Sequence, residues 1–347
     1  MLKPLNIAQV NFALGDEIGF EGKNSRVFRA FDPQLNADLV IKRVEKDRID
    51  SVEQYFEEAS LLYASRHIGV VPVNYACQDD ECIFLAMPFF QNGSLKKLME
   101  SRNLTVREIV VFSTQFLSAL HHIHSKRLIH FDIKPDNILI SDRQEALLAD
   151  FGLTRQLART GLAEQDRIYG RMIPPEAFGQ QEFSNKFDIY QVGLTMYRMC
   201  VGDVSFYSQY EQFVDDGELN RDGFRHAVVN GQFPDRVEYP AHIPQALRNT
   251  VRRCLSVDPV NRYQSAIDIV NDMAGIEGNI LDWSFSTNDG VRDWRKSTNN
   301  KKIQLVVSTD GSSLATSTSE NGASRRIVQY CLDNISTTQI KAFLKGH

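Results

Sequence analysis

The strongest chemical signal in the 347-residue chain is His130-Phe131-Asp132-Ile133-Lys134-Pro135-Asp136-Asn137, followed thirteen residues later by Asp150-Phe151-Gly152. An Asp and an Asn five residues apart in one loop can do two linked jobs. The carboxylate accepts a proton from an incoming hydroxyl, while the amide holds a metal ion beside it; a second Asp further on can hold Mg2+ against phosphate oxygens. Taken singly, Asp132, Asn137 and Asp150 read as ordinary loop-capping residues. Their spacing as a set argues for chemistry. His130, alone in an apolar setting, reads as a packed structural residue.

Such loops need rigid supports on both sides. The apolar runs 138–140 and 147–149 flank the two segments, as strands would. Upstream, 37–42 reads as a strand and 53–65 as a helix, and 70–77 and 82–87 read as two more strands joined by the acidic turn 78–81. From about Gln91 helices take over. Thr105-Val106-Arg107-Glu108 is a capping box, and Ile109, Phe112, Phe116, Leu120 and Ile123 recur as one buried helix face. Past about Gly275 the character changes again: residues 278–347 carry net +3, against −8 for residues 1–277. There 302–308 and 314–319 predict a hairpin about Thr309-Asp310-Gly311-Ser312, and 327–344 predicts a helix. Trp283 and Trp294 read as core of this appendage.

Composition narrows the class. Hydrophobic residues make up 42% and charged residues 24%, which excludes a fibre or a wholly disordered chain. Net charge is −5, and +3 over the last seventy residues is weak for phosphate-backbone binding, so nucleic acid is not expected as a partner. Five cysteines without a recurrent metal-type spacing fit a reducing compartment. No apolar run approaches the roughly 18 residues of a membrane span, so the expected location is cytoplasmic.

With these motifs in order, residues 10–275 resemble the eukaryotic-type Ser/Thr protein kinase family. Leu39-Val40-Ile41-Lys42 resembles its third-strand lysine motif, Pro174-Pro175-Glu176 the end of its activation segment, and Asp188-Ile189-Tyr190-Gln191-Val192-Gly193 its central helix motif. Asp258-Pro259 with Arg262 resembles the late element whose Arg pairs with Glu176. The resemblance implies an α+β, bilobal protein kinase fold: a β-rich N-lobe (1–87), a helical C-lobe (88–275) and a small α+β appendage (276–347). It implies ATP and Mg2+, or Mn2+ in its place, as cofactors. Ile18, Gly19, Gly22 and Val27 would cover the nucleotide, Pro88 and Phe90 would meet the adenine through backbone groups, and Met87 would be the gatekeeper. Lys42, oriented by Glu58 (with Glu57 as the adjacent competitor), would hold the α/β-phosphates. Asn137 and Asp150 would bind the metal, Asp132 would be the base, and Lys134 would stabilise the transferred phosphoryl group. A protein substrate is expected, with autophosphorylation, for instance in the Ser/Thr-rich stretch 308–319, and partner docking through the appendage as further expectations.

Four departures bear on this reading. Ser25 stands where the third glycine of the phosphate-covering loop is usual, and the loop carries one residue more between Gly19 and Val27 than the usual pattern. Pro88 removes a hinge amide but keeps its carbonyl. Phe131 replaces the arginine that receives an activation-loop phosphate in the family, which predicts that activity is independent of that modification; the counter-reading is that Arg155, Arg159, Arg167 or Arg171 folds inward and replaces the lost cation. Asp-x-Lys-Pro-x-Asn resembles the Ser/Thr-directed branch, while Tyr169 keeps a Tyr or dual specificity open. The alternatives are a pseudokinase or ATP-gated scaffold acting through the appendage, and a small-molecule kinase.

Overall fold

The computed structural model describes residues 10–19, 25–48, 51, 52, 56, 60, 66–165, 170–298 and 300–347. The expected helix over 53–65 lies almost wholly outside them, as do Gly22, Glu57, Glu58 and Tyr169.

The first lobe is a five-stranded antiparallel sheet of β1 (Ala13–Gly19), β2 (Ser25–Asp32), β3 (Ala37–Glu45), β4 (Tyr75–Gln78) and β5 (Cys82–Pro88), in the order β1-β2-β3-β5-β4. Side chains alternate across it. Ala30, Leu39, Ile41, Phe84 and Ala86 bury one face. On the other, Gly19, Val27, Lys42 and Leu85 stand in register across four strands, with Val40 and Met87 paired beside them. The strand expected over 70–77 shrinks to β4. Val70 makes an isolated bridge to Leu148 instead, and Pro72 has no amide to give a ladder.

The second lobe is helical: α1 (Leu95–Ser101), α2 (Val106–Ser125), α3 (Lys186–Val201), α4 (Asp203–Glu211), α5 (Arg221–Val229), α6 (Gln245–Cys254) and α7 (Ala266–Met273). The capping box at α2 is formed: Glu108 N donates to Thr105 Oγ1 (3.2 Å) and Thr105 N to Glu108 Oε2 (2.8 Å). Ile109, Phe112, Phe116, Leu120 and Ile123 are all buried. At about 1.5–3 kcal/mol for each fully buried side chain, that face commits α2 to the core. α3 is buried on every side. A Cβ at Gly193 would lie 2.7 Å from the Cys254 Cβ, so glycine is what lets α3 and α6 approach this closely. Short strands β6 (Ile138–Ile140) and β7 (Ala146–Leu148) pair antiparallel and carry the two motif loops, as the apolar runs predicted.

Beyond residue 275, Ile276 and Leu281 still pack in the helical core. The chain then forms a second five-stranded antiparallel meander, β8 (Ser284–Asn288), β9 (Val291–Thr298), β10 (Lys301–Val307), β11 (Ser313–Ser319) and β12 (Ser324–Arg326), with α8 (Thr337–Gly346). The predicted hairpin is β10–β11. The helix expected over 327–344 is corrected to α8. Before it, Ile327 N donates to Ala315 O and Ser313 N to Leu332 O, so the backbone there is engaged beside β11. Trp283 and Trp294 are buried in the appendage core with Leu305 and Phe343. Among the described residues no helix is long and apolar enough to cross a membrane.

The appendage is seated on the helical lobe. Ala241 joins its core, Arg107 pairs with Asp282 (2.5 Å), Asn103 Nδ2 donates to Phe285 O (3.1 Å), and Trp294 Nε1 donates to His242 Nδ1 (3.4 Å). Burial, helped by Arg248, pushes the His242 imidazole down to about 3. Unfolded, it titrates near 6.5. The neutral ring therefore contributes its full stability above pH 6.5 and loses it as pH falls toward 3. At pH 5 the loss is about 2 kcal/mol. Thermal melts at pH 7 and pH 5 should show a larger acid-induced fall in Tm for the native chain than for His242→Phe. Equal falls would show that another group governs acid stability.

Candidate active site

α3 supports the 130–137 loop through a stripe of polar residues on an otherwise apolar helix. Asp188 accepts from His130 N and Phe131 N (2.8 Å each) and from His124 Nε2 (2.8 Å). Gln191 Oε1 accepts from Ile133 N (2.9 Å), while its amide donates to Phe131 O (3.1 Å) and Met172 O (3.3 Å). Thr195 Oγ1 donates to Ile133 O (3.3 Å). These bonds hold Phe131 in the left-handed region (φ 66°), which a bulky residue enters only when its surroundings compel it. Asp188 was expected; Gln191, Thr195 and Arg198 were missed, although polar residues at i, i+3, i+7 and i+10 in an apolar run are a readable signal. His130 is structural, as expected. Asp132 N donates to its Nδ1 (3.2 Å), so its Nε2 carries the proton and donates to Ala149 O (3.1 Å). Burial depresses its basicity and keeps it neutral.

Within this frame the predicted residues converge. Asn137 Nδ2 donates to Asp132 O (2.9 Å) and Oδ2 (2.7 Å), and Lys134 Nζ lies 3.1 Å from Asp132 Oδ2. Burial alone would weaken the Lys134 ammonium, but Asp132, Asp136 and Asp150 outweigh it and hold its pKa above the usual value. Across the cleft, Lys42 Nζ meets Asp150 Oδ1 at 2.7 Å. That charge holds the Asp150 carboxyl far below the usual carboxylate range, and 44% of the Asp150 side chain stays open to solvent.

Gly19 and Val27 lie in the strand row that carries Lys42, and Ile18 sits at the end of β1. Gly22 and Glu58 fall outside the described residues. Pro88 closes β5, and Phe90 packs with Met87 and Leu139 against Val71, Leu147 and Ala149. Leu139 was not singled out from sequence. Its neighbours Ile138 and Ile140 are core residues, so strand alternation turns Leu139 toward the cleft.

The metal expectation meets a suitable donor set. Asp150 offers carboxylate oxygens, and Asn137 spends its amide nitrogen on Asp132, which leaves Oδ1 for a cation. Among the described residues no group of three or more His, Cys, Asp or Glu could hold a metal. Two oxygen ligands suit Mg2+, which keeps waters and takes phosphate oxygens rather than an all-protein cage.

Phe131 fills the place of a cation with an aromatic cluster: its ring lies 4.9 Å from Phe187 and 6.0 Å from Phe183, beside Ile129 and Ala163. The phenyl ring itself offers a phosphate no charge-assisted bond, and Arg155, in register with Ile129, is a cation beside the cluster. Thr154 is 4% exposed and closed to modification, while Thr160 is exposed. Phosphatase-treated protein and Thr160→Ala should therefore phosphorylate an exogenous substrate within about threefold of the untreated rate, under ~0.7 kcal/mol of barrier. A drop of tenfold or more in both would reject that independence.

A buried ion pair closes the site from below. Arg262 makes bidentate bonds to Glu176 (2.7 Å each), and its other donors reach Ser256 O, Lys186 O and Val257 O.

Comparison with known proteins gives a consistent result. The family model for the protein kinase domain matches residues 12–272. The chain is 24% identical over 287 residues to a probable serine/threonine-protein kinase of Clostridium acetobutylicum, an alignment covering 78% of this chain and 40% of that protein. It is 24% identical over 259 residues to the serine/threonine-protein kinase PrkC of Bacillus subtilis (73% and 38%). With the serine/threonine-protein kinase pakG of Dictyostelium discoideum it shares 27% over 253 residues (72% and 20%). The chain thus spans two fifths or less of the length of these relatives.

Proposed function

Because the chain belongs to the protein kinase domain family, we propose that it transfers the γ-phosphate of ATP to Ser and Thr hydroxyls of protein substrates. The observation that carries this reading is the convergence of Asp132, Lys134 and Asn137 on one side of the cleft with Lys42 and Asp150 on the other. Asp132 takes the proton of the acceptor hydroxyl. Lys134, kept charged, lies beside that carboxylate and neutralises negative charge as it develops on the phosphoryl group. Lys42 positions the α/β-phosphates, with Glu58 as its proposed orienting partner. Asp150 and Asn137 are the proposed Mg2+ ligands, and the bound ion would offset charge on the phosphate oxygens. The apolar group around Met87, Phe90 and Leu139 gives the adenine a dry surface. A lysine, rather than another residue, at position 134 favours Ser/Thr over Tyr. The cytoplasm, which supplies ATP and keeps thiols reduced, is the proposed compartment. The appendage is the proposed docking unit for a protein partner.

The test is incubation of the purified chain with MgATP and a generic protein substrate, followed by phosphoamino-acid analysis, with Lys42→Met as control. Phosphoserine and phosphothreonine are expected, reduced about 10²-fold in the control, the usual cost of removing a positioned charge donor. Nucleotide binding without any transfer would replace this reading with a nucleotide-gated scaffold.

A further inference from the structure

Among the described residues, Arg171 is an ordered cation that the chemistry above does not use. Arg171 precedes the Pro174-Pro175-Glu176 turn, is exposed, and forms no ion pair among the described residues. Its guanidinium stands 4.7 Å from the Tyr207 ring centroid and 4.6 Å from that of Tyr210. The two tyrosines are spaced i, i+3 on α4 and share one helix face. Aromatic faces attract a planar cation and fix its orientation. Tyr207 is anchored in turn: Arg198 Nη2 donates to its hydroxyl (3.0 Å), and Arg198 is locked by a buried bidentate pair with Asp203 (2.8 and 2.9 Å).

Arg171 is also held close to the proposed base. The carbonyl of the next residue, Met172, accepts from Gln191, and the same Gln191 side chain bonds Phe131 and Ile133, the two neighbours of Asp132. Two carboxylates beside the loop are already neutralised. Asp136 lies 3.0 Å from Lys96 and 3.8 Å from Arg198, and Asp203 is bound by Arg198. A substrate peptide rich in Lys or Arg finds no unopposed acid among these groups. A peptide carrying a carboxylate finds Arg171.

We infer that Arg171 is a specificity-determining residue that selects acceptor peptides with an acidic side chain close to the Ser or Thr to be phosphorylated. This rests on the protein-kinase reading of the site. Because the tyrosines preorganise the guanidinium, little side-chain freedom is lost when it binds a carboxylate. A charge-assisted contact at an exposed position is worth about two- to fivefold in kcat/KM.

The test uses peptides with one central serine and a single Glu, Ala or Lys stepped from three residues before the acceptor to three after. For the native chain, Glu at one or more positions should raise kcat/KM about two- to fivefold over Ala, and Lys there should lower it. Arg171→Glu should reverse the order, and the milder Arg171→Gln should bring Glu and Ala peptides to parity. A merely structural role for Arg171 would lower all rates together without inverting the preference. Equal rates for the three series in the native chain, or a Glu preference that both variants retain, would overturn the inference and leave the kinase reading standing. No transfer to any peptide, together with no autophosphorylation, would remove that reading and this inference with it.

Discussion

Asp132→Asn should lower phosphoryl transfer by about 10²–10⁴-fold, the usual worth of a positioned acid or base, while nucleotide affinity stays within about twofold. The substitution keeps the shape of the side chain. It replaces the carboxylate with an amide too weakly basic to take the hydroxyl proton, and it removes the charge that Lys134 meets at 3.1 Å. Asn137 still has the Asp132 carbonyl as an acceptor (2.9 Å), so the loop keeps its conformation. Single-turnover transfer measured beside calorimetric nucleotide binding separates the two effects. A variant with half the native turnover would sink the assignment of Asp132 as base, and one that had lost nucleotide binding would show a misfolded loop instead.

The largest effect on stability should come from Arg262. Its bidentate pair with Glu176 is buried, every donor nitrogen is satisfied by a carboxylate or carbonyl, and its guanidinium stacks 4.8 Å from the Tyr190 ring. Arg262→Met leaves Glu176 as an unpaired buried charge and strands the carbonyls of Ser256, Lys186 and Val257. Removing one partner of a buried pair costs about 3–5 kcal/mol, a fall in Tm on the order of 10 °C for a chain of this size. Glu176→Gln combined with Arg262→Met should recover part of that loss, since the stranded charge is gone. Urea denaturation measures both. A single-variant loss below about 1 kcal/mol would mean that the pair is solvated and contributes little.

Much of the site was legible because its signals are local and dense. The 130–137 loop, Asp150, Lys42, Glu176 and Arg262 each sit in a short pattern that chemistry constrains, and the α2 face repeats every three or four residues over the whole helix. The capping box at Thr105 needed four residues to be read. What escaped depended on distant partners. Gln191 and Thr195 form a polar stripe on an apolar helix, which signals a packed polar partner but does not say which one until the catalytic loop is laid against them. The appendage sheet was read as one hairpin because β8 and β12 are short, polar and largely exposed, and because β9 pairs a buried Trp294 with a buried Lys296, which hides its alternation. The stretch before α8 had a helical composition, yet its backbone groups were claimed by β11. The sandwich of Arg171 between Tyr207 and Tyr210 joins segments more than thirty residues apart, and no local pattern marks it.

The dependence of the 130–137 loop on α3 also sets when a new chain becomes competent. Its amides and carbonyls are satisfied by side chains 57 to 62 residues further on. A ribosome adding roughly 5–20 residues per second releases Asp188, Gln191 and Thr195 about 3–12 s after the loop they hold. Until then the emerged chain lacks the side chains that hold the Phe131 and Ile133 backbone, and Asp132 has only its own loop, through His130 and Asn137, to direct it. A nascent or prematurely ended chain that stops before α3 therefore carries all the residues of the loop in an unassembled form, and the first lobe can be complete and able to meet nucleotide well before any phosphoryl group can be transferred. Catalytic power arrives late in synthesis and all at once, with the burial of a single helix.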